Sequence, residues 1–253
     1  MSLASGSYYI MKRWLMQTVG RPGEEVGNLF IPLFFMFVTV GAVGSVAREA
    51  FGVTDYFGFQ VPVAVVQGVA GASSISGLVI VTDIERGYFD KLLLTPVPRL
   101  ALVFGRLLAD AVRCLFFTAV ILLVAAVHGT DMAAGPLGYV VLLALAALFG
   151  LAYSGIGLAL ALRTGSAQAA NVGFLLFFPL LFLSPAFAPT SVFEPWLEFL
   201  ANINPVTYIL EGMRSLILRG WEWDELAGAF ASAGGFAAIT VALSLLALRK
   251  RTA

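Results

Sequence analysis

Charge is scarce in this sequence. Asp, Glu, Lys and Arg make up 12% of its 253 residues, against roughly 25% in ordinary soluble domains, while 60% are hydrophobic. A soluble fold of this length could not hide so much apolar surface, because any folded body still presents an outer face to water. A bilayer is the solvent that suits such a composition. Fifteen basic and fifteen acidic residues cancel, so bulk charge makes no case for a nucleic-acid partner. Cysteine occurs once, at Cys114, and histidine once, at His128. That excludes an intrachain disulfide and a histidine–cysteine metal cluster. The three lysines are Lys12, Lys91 and Lys250. None follows a glycine, so a phosphate-binding loop of the Walker type is missing and ATP is not expected to bind here. The stretch from Met1 to Gly27 is too polar for the unbroken apolar core of a signal peptide, so the first spanning helix is expected to be retained.

What the chain has instead is long apolar runs. A helix needs about 20 mostly apolar residues to cross a bilayer. Six runs qualify: Leu29 to Ala47, Phe57 to Val81, Leu100 to Val127, Pro136 to Leu162, Ala170 to Phe187 and Leu226 to Leu248. The sequence therefore predicts an all-α integral membrane protein, one domain over residues 1–253, with no internal repeat. Six crossings put both termini on one side. That side holds twelve of the fifteen basic residues, and only Arg48, Arg214 and Arg219 fall on the other. Basic residues favour the cytoplasmic face, so both termini are expected in the cytoplasm.

Three segments do not read as spans. Within residues 1–27, Tyr8 to Val19 sets Met11, Trp14, Leu15 and Thr18 on one face and Lys12, Arg13 and Gln17 on another, the pattern of a helix lying in the membrane interface. The cytoplasmic loop 82–98 gathers Asp83, Glu85, Arg86, Asp90 and Lys91, and its prolines should end a short helix. Tyr88, Phe89, Leu92 and Leu93 share that segment, so it reads either as a solvated charged loop or as a surface that docks on a partner protein. The external stretch 188–225 contains a helix start at Asn204-Pro205, with Asn as N-cap and Pro in the first turn. From there Val206, Ile209, Leu210, Met213 and Ile217 form one stripe, and Thr207, Glu211, Arg214 and Ser215 form the other face. Gly220 suits the C-cap. Such a helix is expected half-submerged at the outer surface, or re-entrant, with Trp196, Trp221 and Trp223 at the water–lipid boundary.

Inside the spans the polar groups are mild. Gln67 and Asn171, with Ser73, Ser74 and Ser76, serve either helix packing or a path for amphipathic cargo. Arg106, Asp110 and Arg113 share one face near the cytoplasmic end of span three, spaced i,i+4 and i,i+3. They are either a self-neutralised structural cluster or part of a cytoplasmic gate. No Asp or Glu falls at the centre of a span, which argues against an autonomous carrier driven by protons or sodium. A membrane enzyme would have to rest on His128, which is expected instead to be a plain surface histidine at the outer end of span three.

The order of these parts resembles the permease subunit of type-2 ABC exporters, particularly the drug-resistance branch typified by daunorubicin exporters. The residues that carry it are the run from Asp83-Ile84-Glu85-Arg86-Gly87 through Asp90-Lys91-Leu92-Leu93-Leu94-Thr95-Pro96-Val97-Pro98. Gly105-Arg106 stands where these proteins often carry Gly-Lys. Asn204-Pro205-Val206-Thr207-Tyr208 followed by Glu211-Gly212-Met213-Arg214 resembles the family's external pattern. The compact Glu85-Arg86-Gly87 order departs from many members, which place another residue or two before the glycine.

The resemblance implies a coupling helix in which Glu85, Arg86, Phe89, Asp90, Lys91, Leu92, Thr95 and Pro96 contact a separate ATPase. Two ATPase copies would hold ATP and magnesium, and this chain would hold no cofactor. It also implies a second permease copy, a homodimer, in a bacterial cytoplasmic membrane. Arg106, Asp110 and Arg113 would form the cytoplasmic gate. Spans one and five, with Phe34, Gln67, Asn171 and Phe178, would line the path for an amphipathic drug, natural product or lipid. A related branch exports polysaccharides along aromatic ladders. The aromatics of spans one and five are all Phe, without the polar tips that suit sugars, and this favours a hydrophobic cargo.

Overall fold

The computed structural model describes residues 2–252 except Arg21 and Thr54. For Pro22, Glu24, Phe51, Ala170, Asn171, Phe174 and Thr252 it describes the backbone course alone. Among the described residues the chain is helical throughout, without a strand. In order it forms α1 (Leu3–Val19), α2 (Pro22–Phe51), α3 (Tyr56–Glu85), α4 (Tyr88–Leu93), α5 (Arg99–Val127) and α6 (Pro136–Thr164). Then come α7 (Ala167–Leu175), α8 (Phe177–Phe182), α9 (Pro195–Ile203), α10 (Pro205–Arg214) and α11 (Trp223–Thr252).

Five helices, α2, α3, α5, α6 and α11, are long and apolar enough to cross a bilayer. The predicted span from Ala170 to Phe187 is different. It is two shorter helices, α7 and α8, of nine and six residues, meeting at Leu176. Neither is long enough to cross alone. Pro179 explains the break, because it has no N–H to offer the carbonyl one turn back and its ring crowds the preceding turn. The neighbouring bonds survive, from Leu176 N to Val172 O at 3.0 Å and from Leu180 N to Leu176 O at 3.4 Å. Pro185 and Pro189 then keep the chain from resuming an α-helix before α9, leaving only a single 3-10 turn at Thr190–Val192.

Small residues set the bundle's closest approaches, as expected where helices gain no hydrophobic driving force from lipid. A Cβ on Gly155 of α6 would stand 2.6 Å from Thr240 Oγ1 of α11. Ser244 of α11 donates to the Gly155 carbonyl at 2.9 Å, and Arg251 donates to the Leu162 carbonyl at 3.3 Å. Helices α6 and α11 therefore run parallel, with Leu162 and Arg251 at the same end. The chain between them must return along the bundle, and α7 and α8 carry it. Tyr153 of α6 donates to Gly173 O of α7. Further along, Asn204 Nδ2 donates to Leu180 O of α8 at 2.6 Å. Gln60, in the first turns of α3, donates to Ala186 O at 3.2 Å.

The central helix is α3, two-thirds buried over its most apolar stretch, whereas the same measure for α2 is 17%. Phe30, Ile31, Phe34, Phe35 and Val38 of α2 all lie about half exposed. Helix α1 begins earlier than the predicted Tyr8. Its buried face is Gly6, Ser7, Ile10 and Trp14, laid on α5, and Tyr8, Tyr9 and Met16 point outward. Gly105 permits that crossing: a Cβ there would lie 2.6 Å from Ile10 Cβ and 2.8 Å from the Ser7 carbonyl.

Candidate functional site

The loop 82–98 folds as the end of α3, a left-handed Gly87 with φ of 65°, the short α4, and a Thr95–Pro98 turn into α5. A side chain at that φ would be strained, so glycine is what allows the chain to reverse there. Thr95 Oγ1 donates to Leu92 O at 2.6 Å and closes the C-terminal end. Phe89 is turned inward, 2% exposed, into the cluster that holds Ile10, Trp14, Ile80, Leu102 and Leu107. It anchors α4 to the bundle. Leu92 is half-buried beside it. Glu85, Arg86, Asp90, Lys91, Thr95 and Pro96 are exposed, and so is Leu94, at 89%. Leu94 had no place in the sequence-derived set. An exposed leucine is invisible in a run of three leucines until burial separates it from Leu92 and Leu93.

Helix α1 is clamped to this loop. Arg13 Nη2 lies 3.3 Å from both carboxylate oxygens of Asp83. Its guanidinium sits 4.0 Å above the Tyr88 ring and 4.6 Å from that of Trp14. Cationic groups held over aromatic faces gain most where water is excluded. Movement of α4 is thereby tied to movement of α1.

Arg106, Asp110 and Arg113 meet, buried, on α5. Arg106 donates to Asp110 Oδ1 at 2.8 Å and to Ser76 Oγ at 2.9 Å. Arg113 reaches Asp110 at 3.5 Å, donates to the Ala72 carbonyl at 3.1 Å, and pairs with Glu25 at 2.7 Å. Two arginines alternate with two carboxylates, and α2, α3 and α5 are pinned together. Glu25 was missed because nothing near it in sequence announces a partner 88 positions away. Arg106 and Arg113 also line a cavity of about 610 Å³ bounded by α1, α2, α3, α4 and α5, with Arg13, Arg86 and Lys91 on its wall.

The residues expected along the path lie on α2, α3, α7 and α8. Phe34 and Phe178 are exposed and Gln67 is half-buried. None of the three lines this cavity or the one at the opposite end of the bundle. The side chain of Asn171 lies outside the described residues.

At the opposite end Asn204 caps α10, its Oδ1 accepting from Val206 N at 3.0 Å, and Pro205 opens the first turn. The expected stripe of Val206, Ile209, Leu210, Met213 and Ile217 is buried, but so are Thr207, Arg214 and Ser215. Buried residues therefore lie on both faces of α10, with Tyr208 left exposed, and the short α9 before it carries an outward apolar face. There Trp196, Phe199 and Ile203 project outward at 63–65% exposure. Arg214 is stacked 3.5 Å over Phe59 and donates to Glu211 at 2.8 Å and to the Phe59 and Ala186 carbonyls at 3.3 and 3.4 Å. Burial draws its guanidinium down to about 10, with Glu211 opposing, so it stays protonated at neutral pH. His128 stacks on Phe57 at 3.7 Å, a packing contact that closes α5.

Five bilayer-length apolar helices around mild polar contacts define a multi-pass helical membrane protein. The family model described as ABC-2 type transporter matches residues 7–218, and the chain belongs to that family. It is 24% identical over 197 residues to "Daunorubicin resistance ABC transporter permease protein DrrB1" of Streptomyces coeruleorubidus, covering 78% of this chain and 69% of that one. It is 26% identical over 221 residues to "Putative transport permease ycf38" of Porphyra purpurea, covering 85% and 74%. A third relative, "Probable doxorubicin resistance ABC transporter permease protein DrrC" of Mycobacterium tuberculosis, is 22% identical over 211 residues, covering 83% and 75%.

Proposed function

We propose that this chain is the membrane half of an ATP-driven exporter, moving an amphipathic drug, natural product or lipid outward from a bacterial cytoplasm. A separate ATPase, in two copies, supplies the energy and holds ATP and magnesium. The observation that carries this reading is the surface of α4. Its buried Phe89 fixes the helix, while Glu85, Arg86, Asp90, Lys91 and, just past the helix end, Leu94 at 89% are all exposed. Exposed charges together with an exposed apolar side chain on an anchored helix suit a protein–protein contact. The clamp from Arg13 to Asp83 and Tyr88 then couples a push on α4 to α1 and, through Arg106 and Asp110, to the inner end of α5.

The α7–α8 pair serves as a sixth, short crossing. This agrees with the placement of twelve basic residues on the side of the termini, and both termini are cytoplasmic in this reading. The bare face of α2 is assigned to the seam with a second copy, and the transport path, with Phe34, Gln67, Asn171 and Phe178, runs along that seam. Relatives named for daunorubicin and doxorubicin resistance support an amphipathic cargo. The test is the double reversal Glu85→Lys, Asp90→Lys in the complex with its ATPase. Both residues are exposed, so the fold should tolerate the change. Assembly should weaken, or ATP hydrolysis should continue without transport. Normal assembly and normal transport would refute the docking role.

A further inference from the structure

The inner cavity carries more positive charge than the cluster needs. Among the described residues its wall presents the cations Arg13, Arg86, Lys91, Arg106 and Arg113 and the carboxylates Glu25 and Asp83. Asp110 lies directly behind. Five cations against three carboxylates leave a surplus of two. Arg86 and Lys91 have no ion-pair partner among the described residues.

The donors are also incompletely used. Arg113 is 6% exposed, and its Nε has no hydrogen-bond partner among the described residues; the same holds for Arg13 Nη1. A buried charged donor left unpaired is costly, and a half-open site this roomy, lined by charged groups, can take a ligand that satisfies it. The orphaned acceptor, Glu25 Oε2, belongs to a carboxylate already held by Arg113 at 2.7 Å.

Depth identifies the source of that ligand. A hydrocarbon core takes about 20 helical residues, so counting back from Val127, where α5 ends, puts the inner edge of the bilayer near Arg106. Side chains on a helix lean toward its N-terminus, which brings the Arg113 guanidinium to Glu25, just before the apolar run of α2 begins at Leu29. Trp14 and Tyr88, both on the cavity wall, suit the same headgroup level. We propose that this cavity is a phosphate site filled from the bilayer by the headgroup of an anionic lipid of the inner leaflet. A phosphodiester or phosphomonoester would answer the charge surplus and accept from the idle guanidinium nitrogens, bidentately where geometry allows. The proposal stands whether or not an ATPase docks on α4.

Native mass spectrometry of the purified full chain in detergent tests it, with dioleoylphosphatidylglycerol and dioleoylphosphatidylcholine as competing probes. The anionic phosphatidylglycerol should be retained at least about tenfold more tightly than the zwitterionic phosphatidylcholine. Arg86→Gln combined with Lys91→Gln, both surface changes, should cut that preference by about tenfold while the circular dichroism spectrum stays helical. Equal retention of the two lipids, or a preference untouched by the double variant, would overturn the proposal. Displacement of the phosphatidylglycerol by millimolar inorganic phosphate would overturn the bilayer as the source.

Discussion

Arg214 shows how much one side chain can be asked to hold. It is 1% exposed, yet it joins α10 to the start of α3 and to the loop after α8 through Glu211, the Phe59 and Ala186 carbonyls and the Phe59 ring. Removing one partner of a buried ion pair typically costs 3–5 kcal/mol. Glu211 is 31% exposed and can turn to water, which favours the lower end. Arg214→Leu is expected to lower the unfolding free energy of the detergent-solubilised chain by about 3 kcal/mol, read from chemical denaturation. Glu211→Gln should cost much less. Gly105 makes the opposite case, a residue that acts by absence. With 2.6 Å between its missing Cβ and Ile10, Gly105→Leu cannot be accommodated without lifting α1. The bundle should still form, but limited proteolysis should cut near Gly20 far faster than in the parent chain. An unchanged cleavage rate would mean that α1 is not held by this crossing.

At the scale of elements, hydropathy located what depends on long-range burial in lipid and misjudged what depends on local chemistry. Five of the six apolar runs became single long helices, because an unbroken apolar stretch in a bilayer has no cheaper way to satisfy its backbone. The remaining run, Ala170 to Phe187, is as apolar, but Pro179 divides it, and that proline was legible from the outset. The cap at Asn204-Pro205 was legible too, since its mechanism is local. The burial on both faces of α10 and the pairing of Glu25 with Arg113 were not, because both arise from elements far apart in the chain. The same division separates Phe89 from Leu94: both are apolar residues in a charged segment, and only the fold says which one is spent on anchoring. Leu94→Glu is therefore expected to leave helicity and stability within about 0.5 kcal/mol of the parent, as for other exposed sites. It should abolish co-purification of the ATPase. Retained co-purification would shift the docking contact to the exposed charged residues alone.

For the whole molecule the open quantity is the number of crossings, because it decides which face each end of the bundle meets. Helices α6 and α11 are parallel, so the segment between them has to regain the end from which α6 began. Helices α7 and α8 together span only Ala167–Phe182. At about 1.5 Å per residue that is roughly 24 Å, short of the ~30 Å hydrocarbon core. The shortfall is tolerable where the non-helical backbone after Phe182 is covered by protein. Here Ala186 is buried and its carbonyl accepts from Gln60 and Arg214. Cysteine labelling can check the count directly, because the one native thiol, Cys114, is 0% exposed and gives little background. Cysteines placed at Trp196 and Trp223 should react with a membrane-impermeant maleimide added to intact cells. Cysteines at Leu94 and Lys250 should react only after the membrane is opened. Reaction of Lys250→Cys from outside would put the C-terminus across the membrane from α4 and remove α7–α8 as a crossing. It would also contradict the contact between Arg251 and Leu162, since α6 and α11 could then no longer share an inner end.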